Sequence, residues 1–311
     1  MGICFVFPGQ GSQHVGMGKE IYENYGEVRS LFEEAGDALG YDIARLCFDG
    51  PSGELNKTYR TQPSLLTVST SLFKVLSSRG IRPSVVAGHS LGEYSALVAA
   101  GVLPFRDAVV LTEKRGHFMQ EAVPEGKGLM AAVMGLPRST VNEICLSLRS
   151  GYASPANYNC PGQIVIAGEK MAVEEAMNRA KDEGAKRVVA LAVSVPSHCT
   201  LMAEASRRLE EYLKGIELKS PSIPLVNNAE AAVLTTADSI RASLVRQLDS
   251  PLLWEDSVLA IVDSGTDTFV EVGPGKVLSG LIKRITSSAK IYNVENVSSL
   301  DKTVTALMTN S

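Results

Sequence analysis

Ser90 lies in the pentapeptide Gly88-His89-Ser90-Leu91-Gly92, after the apolar pair Val85-Val86 and before the run Tyr94 to Ala100. A strand that turns sharply into a helix at that point lifts a serine hydroxyl clear of the backbone, the setting of a nucleophile elbow. Glycine on either side leaves room for a tight turn and unusual backbone angles. The same pattern of small residues also occurs in ordinary strand-helix turns, so its chemistry depends on its partners.

A serine hydroxyl is a weak nucleophile at neutral pH and needs a base. The four histidines are His14, His89, His117 and His198. His89 is next to the serine in the turn, where its ring diverges from the hydroxyl, and it reads as a positioning or cap residue. His14 reads as a loop residue and His117 as a helix-face residue. His198, in Val195-Pro196-Ser197-His198, follows a strand-like run and precedes a helix, which places it in a loop at the sheet edge where Ser90 also lies. A surface or N-terminal cap histidine is the alternative at that position. No acidic residue is singled out as the third member of a triad, which leaves a carbonyl oxygen as the alternative. Arg115, on a helix soon after the elbow helix, reads either as a solvated helix-face arginine or as a guanidinium fork for a carboxylate.

The elements that must position these residues alternate. Ile3 to Phe7 reads as a strand ending in the loop Pro8-Gly9-Gln10-Gly11-Ser12-Gln13, Lys19 to Leu46 as helical with a break near Gly40, and Thr61-Gln62-Pro63 as a helix entry. Residues 65–76 and 105–121 are helical. Residues 128–195 have their own rhythm: strand 130–134, helix 138–148, strands 152–157 and 163–167, helix 171–183, strand 187–193. That β-α-β-β-α-β order is the ferredoxin-like arrangement, inserted into a larger unit because strand and helix alternate again afterwards. The larger unit, 1–127 with 196–311, predicts a mostly parallel sheet with helices on both faces.

With 311 residues and 45% hydrophobic content a large core is expected, and a formal charge of −4 without long charge runs suggests neither a nucleic-acid groove nor a membrane-binding face. Five scattered cysteines without a C-x-x-C pair argue against a disulfide framework or structural zinc and suit a reducing cytoplasm. The apolar start stops at Pro8, too short for a signal peptide, and reads as a first strand. The glycine loops match neither a dinucleotide fingerprint nor a Walker sequence.

Phe7-Pro8-Gly9-Gln10-Gly11-Ser12-Gln13, Thr61-Gln62-Pro63, Gly88-His89-Ser90-Leu91-Gly92-Glu93-Tyr94, Arg115-Gly116, Asn157 with Pro161-Gly162-Gln163, Val195-Pro196-Ser197-His198 and Glu271-Val272-Gly273-Pro274-Gly275 together resemble the ordered motifs of the malonyl-CoA:acyl carrier protein transacylases of bacterial fatty-acid synthesis. The resemblance runs from about residue 5 to 285. It implies an α/β-hydrolase-like subdomain with a ferredoxin-like insertion, an enzyme without cofactor or metal, and malonyl-CoA and pantetheinylated acyl carrier protein as substrates. By motif position it implies Ser90 as acylated nucleophile, His198 as general base and acid, and the Gln247 carbonyl as the group orienting His198. It further implies Gln10 and the Leu91 amide as oxyanion hole, Arg115 as the malonyl carboxylate clamp, and Gln62 and Asn157 as residues lining the site.

Other readings stay open on the same residues. A polyketide-type acyltransferase using malonyl or methylmalonyl units is one, since Ser197 leaves space near the acyl α-carbon. A serine esterase or thioesterase is another, and a non-catalytic binding subunit a third. For docking an acidic carrier, Lys181, Lys186 and Arg187 are the candidates on the insertion.

Overall fold

The computed structural model describes residues 2–191, 193 and 195–309. Among the described residues ten strands form two sheets: β1 Gly2–Phe7, β2 Val85–Gly88, β3 Gly128–Met134, β4 Ala153–Cys160, β5 Gln163–Glu169, β6 Arg187–Ala190, β7 Leu225–Val226, β8 Val233–Leu234, β9 Thr266–Val272 and β10 Lys290–Val294. The large sheet has the order β10-β9-β1-β2-β7-β8 and is parallel except for β8. β1 and β2 are its central pair, with Phe7 opposite Gly88. All four residues of β2 are buried, as a strand covered on both faces requires. The small sheet, β4-β5-β3-β6, is wholly antiparallel, and its order and connections are those of the ferredoxin-like arrangement.

The strands of the small sheet fall between Gly128 and Ala190, and those of the large sheet lie on either side of that stretch. The expected segments, 1–127 with 196–311 and 128–195, include Met1, Ala192, Ser194, Asn310 and Ser311, which lie outside the described residues. The strand expected over 187–193 ends at Ala190, and Ala192 within it is among those residues. Backbone hydrogen bonds tie β4 of the small sheet to the chain that precedes the helix Trp254–Asp263. Tyr158 N–H donates to Leu252 O at 2.9 Å, and Leu252 N–H to Ala156 O at 2.8 Å.

Several boundaries differ from the sequence reading. Thr61-Gln62-Pro63 is no helix entry: the helix runs Thr58–Ser78, with Pro63 inside it. Proline there removes one hydrogen bond to the preceding turn. Packing holds the first turn nonetheless, because Gly116 brings the helix Phe105–Ala122 so close that a Cβ would lie 2.4 Å from Tyr59 Cα. Residues 19–46 form three helices instead of a pair, with a break at extended Tyr25 besides the left-handed Gly40. The short β8, edge strand β10 and terminal helix Val297–Thr309 are additional to the sequence reading.

Candidate active site

Ser90 sits between β2 and the helix Gly92–Ala99 with φ 52°, a left-handed conformation uncommon for a residue with a side chain. The flanking glycines are needed for contact. A Cβ on Gly88 would lie 1.9 Å from Gly92 C, and one on Gly92 would lie 1.9 Å from Phe7 O. The elbow is thus pressed against the end of β1, and His89 N–H donates to Phe7 O at 3.0 Å. This contact brings the Gln10 loop and Ser90 together at the C-terminal ends of the two central strands.

His198 also has a left-handed backbone, φ 61°, and is buried. Its Nε2 lies 2.8 Å from Ser90 Oγ, and its Nδ1 lies 2.7 Å from Gln247 O. A carbonyl only accepts, so Nδ1 bears the proton and bare Nε2 accepts from the Ser90 hydroxyl; the tautomer is assigned from this network. Gln247 belongs to the last turn of the helix Ala237–Asp249, whose final carbonyls have no partner within the helix. His198 fills two of these positions, since its backbone N–H donates to Leu248 O at 3.0 Å. Burial, and then the Arg115 charge, lower the His198 pKa from 6.5 to about 3, which keeps the ring a neutral base.

Arg115 is not solvated. It lies in the row Ala108, Leu111, Thr112, Arg115, Met119, the buried face of its helix, and is only 1% exposed. Its Nη1 donates to Gln62 Oε1 at 2.9 Å, and its Nη2 to Gln247 Oε1 at 2.9 Å and to Ser90 Oγ at 3.4 Å. All three acceptors are neutral, and among the described residues the guanidinium makes no ion pair. A permanent cation beside a nucleophile, with no carboxylate in contact, is arranged to receive an anion.

The other expected residues divide. Asn157, on β4, lines the cleft that holds Ser90 and His198, with its Oδ1 free of protein partners among the described residues. Gln10 and Leu91 line the same cleft, and neither backbone N–H is bonded to another described backbone group. Gln62 stands apart: fully buried on its helix, it reaches Arg115 from behind and is not part of the cleft wall. His89 donates from Nε2 to Asn159 Oδ1 at 2.9 Å and meets Trp254 edge-on, facing away from base duty. His14 is exposed, and His117 stacks on Tyr59 at 4.2 Å. Lys181, Lys186 and Arg187 are exposed.

Sequence reasoning missed Asn228 and the bonds of Glu93. Asn228 Oδ1 accepts from Ser90 N–H at 2.7 Å while its Nδ2 donates to Gly88 O at 2.8 Å, bracing the elbow from both sides. Nothing in the residues around Asn228 signals this, because the contact spans 138 positions. Arg115 and Gln247 were more legible: each falls in register with an apolar row, where a solvated polar side chain does not belong.

The cleft has a volume of about 220 Å³ and opens between the two sheets, with Val277, Leu278 and Leu281 on one wall and Met130 and Val165 on another. Among the described residues no three His, Cys, Asp or Glu side chains converge as metal ligands, and no helix is long and apolar enough to cross a membrane.

Comparison with known proteins identifies the family. The family described as "Acyl transferase domain" matches residues 4–310. The malonyl CoA-acyl carrier protein transacylase of Escherichia coli O157:H7 is 52% identical over 284 residues, covering 91% of this chain and 92% of that protein. An acyl carrier protein S-malonyltransferase from Vibrio cholerae superposes with a TM-score of 0.95 at 46% identity, covering 97% of this chain and 100% of that one. A structure of a type II PKS acyl-carrier protein in complex with its malonyl-transacylase gives a TM-score of 0.97 at 46% identity, covering 98% and 100%. An elbow serine on a buried histidine beside an unneutralised arginine, in a chain matched almost end to end, makes this protein a member of the acyl transferase domain family.

Proposed function

We propose that the protein moves a malonyl group from malonyl-CoA to the pantetheine thiol of an acyl carrier protein through a malonyl ester on Ser90. The observation that carries this reading is the buried Arg115, paired only with neutral oxygens and 3.4 Å from the nucleophile. An acyl group with a terminal carboxylate satisfies that cation, and an acetyl group leaves it unpaired.

In the proposed mechanism His198 Nε2 takes the Ser90 proton as Oγ attacks the thioester carbonyl. The tetrahedral oxyanion is received by the Leu91 N–H and by Gln10. Collapse expels CoA thiolate, which takes the proton back from the imidazolium. The carrier thiol then gives its proton to His198, attacks the ester carbonyl and releases Ser90, which is reprotonated by His198. Atoms balance without a cofactor, so none is proposed. Asn157 on the cleft wall offers an acceptor to the entering acyl-thioester arm, and Gln62 supports Arg115 from behind.

The two lobes are taken as 1–127 with 196–311 and 128–195, with the carrier approaching the cleft past Lys181, Lys186 and Arg187. Five unpaired cysteines and a CoA thioester substrate support a cytoplasmic location for fatty-acid synthesis. A second reading, supply of extender units to a polyketide carrier, draws on the likeness to the malonyl-transacylase seen with a type II PKS acyl-carrier protein. A competition assay tests both, offering malonyl-, methylmalonyl- and acetyl-CoA with a fatty-acid or polyketide carrier. Malonyl transfer should dominate. Hydrolysis that proceeds equally well without a thiol acceptor would make the protein an esterase instead.

A further inference from the structure

The mechanism above gives no task to the buried carboxyl that lies beside Gln247 and Arg115, that of Glu93. Glu93 lies in the first turn of the elbow helix and is fully buried. Its Oε2 accepts from Gln247 Nε2 at 2.9 Å and from Asn228 N–H at 3.0 Å, and its Oε1 has no partner among the described residues.

The Gln247 amide has two ends with opposite requirements. Its Oε1 accepts from Arg115 Nη2, while its Nε2 donates to Glu93 Oε2 and, at 3.1 Å, to Ser90 O. Turned over, the amide would set NH₂ against the guanidinium and a carbonyl against two acceptor oxygens. Only one orientation is satisfied, and Glu93 selects it. A carboxylate in direct contact would neutralise the cation that the substrate needs. A carboxyl one amide away orients the guanidinium and leaves its charge available.

We infer that Glu93 is a positioning residue: through the Gln247 amide it fixes the Arg115 guanidinium beside Ser90 and thereby sets the preference for a carboxylate-bearing acyl group. This inference rests on the malonyl-transfer reading. Burial pushes the Glu93 pKa up to about 7, so the carboxylate and the neutral acid are both populated near neutral pH. A proton on Oε1 leaves Oε2 an acceptor. Reach is the property that matters.

Two mild variants separate reach from charge. Glu93→Asp keeps the carboxyl group and withdraws the acceptor by one methylene. Glu93→Gln keeps the reach, and the fixed Asn228 N–H obliges it to present its oxygen. Single-turnover acylation of Ser90 by malonyl-CoA and by acetyl-CoA gives a malonyl-over-acetyl ratio for each. Glu93→Asp should lower the ratio by up to about tenfold, the upper end of what one hydrogen bond contributes. Glu93→Gln should stay within about twofold of the parent, since no bond to the Gln247 amide is lost. Equal slowing of both acyl groups, an unchanged ratio in Glu93→Asp, or a fall in Glu93→Gln matching that of Glu93→Asp would overturn the inference. If the parent enzyme formed no malonyl ester, the functional reading itself would fall instead.

Discussion

Ser90 and His198 both have positive φ, at 52° and 61°, and such residues cost about 1–3 kcal/mol each unless their surroundings hold them. What holds them is specific: Asn228 grips the elbow on both sides, and two helix-end carbonyls grip the histidine. Neutral His198 is the form the fold stabilises. Its folded pKa of about 3 lies below the unfolded value, so that stability is complete above about pH 6.5 and is lost as pH falls through the folded value. Ser90 acylation should therefore persist well below pH 6, and stopped-flow pH profiles check this; an acid limb near the ordinary imidazole value would contradict it. At Arg115, replacement by alanine removes the only cation in contact with Ser90 among the described residues. It should reduce malonyl kcat/KM by about 2–5 kcal/mol, roughly 30-fold or more, and acetyl kcat/KM much less. Equal losses would remove the clamp role.

Among the elements, the helix Ala237–Asp249 does two jobs with one residue. The Gln247 carbonyl, free because it lies in the last turn, holds His198, and the Gln247 side chain holds Arg115. The partial negative charge of a helix C-terminus favours the imidazolium formed in the reaction, which offsets part of what a neutral carbonyl lacks beside an aspartate. The elbow makes an equally local demand. Gly92→Ala sets a methyl group 1.9 Å from Phe7 O, so unfolding in urea should show a loss of at least about 1–3 kcal/mol; a change under about 0.5 kcal/mol would mean that β1 is not pressed against the turn. β1, the four strands of the small sheet, the elbow and the β-α-β-β-α-β order were legible in the sequence because each rests on local periodicity. Pro63 was misread because its exclusion from helix interiors is a local rule, overridden here by packing of Tyr59 against Gly116. Asn228, the short β8 and the placement of Gln62 behind Arg115 were not legible, because each is set by contacts across the fold.

At the scale of the molecule, the site belongs to neither sheet. Ser90 and the Gln10 loop come from the ends of the central strands of the large sheet, Asn157 from β4 of the small one, and His198 from the chain that follows the small sheet. The backbone bonds between Tyr158, Ala156 and Leu252 join β4 to the chain just after the Gln247 helix, which restrains the width of the cleft there. The amides of Tyr158 and Leu252 should accordingly resist hydrogen exchange as strongly as those of β2, whereas exchange as fast as that of surface loops would imply a hinge there. The most direct measurement of the whole account is the intact mass of the protein after mixing with malonyl-CoA. The account predicts one malonyl group on Ser90, absent in Ser90→Ala and discharged when holo acyl carrier protein is added. No adduct, or one that survives Ser90→Ala, would contradict it.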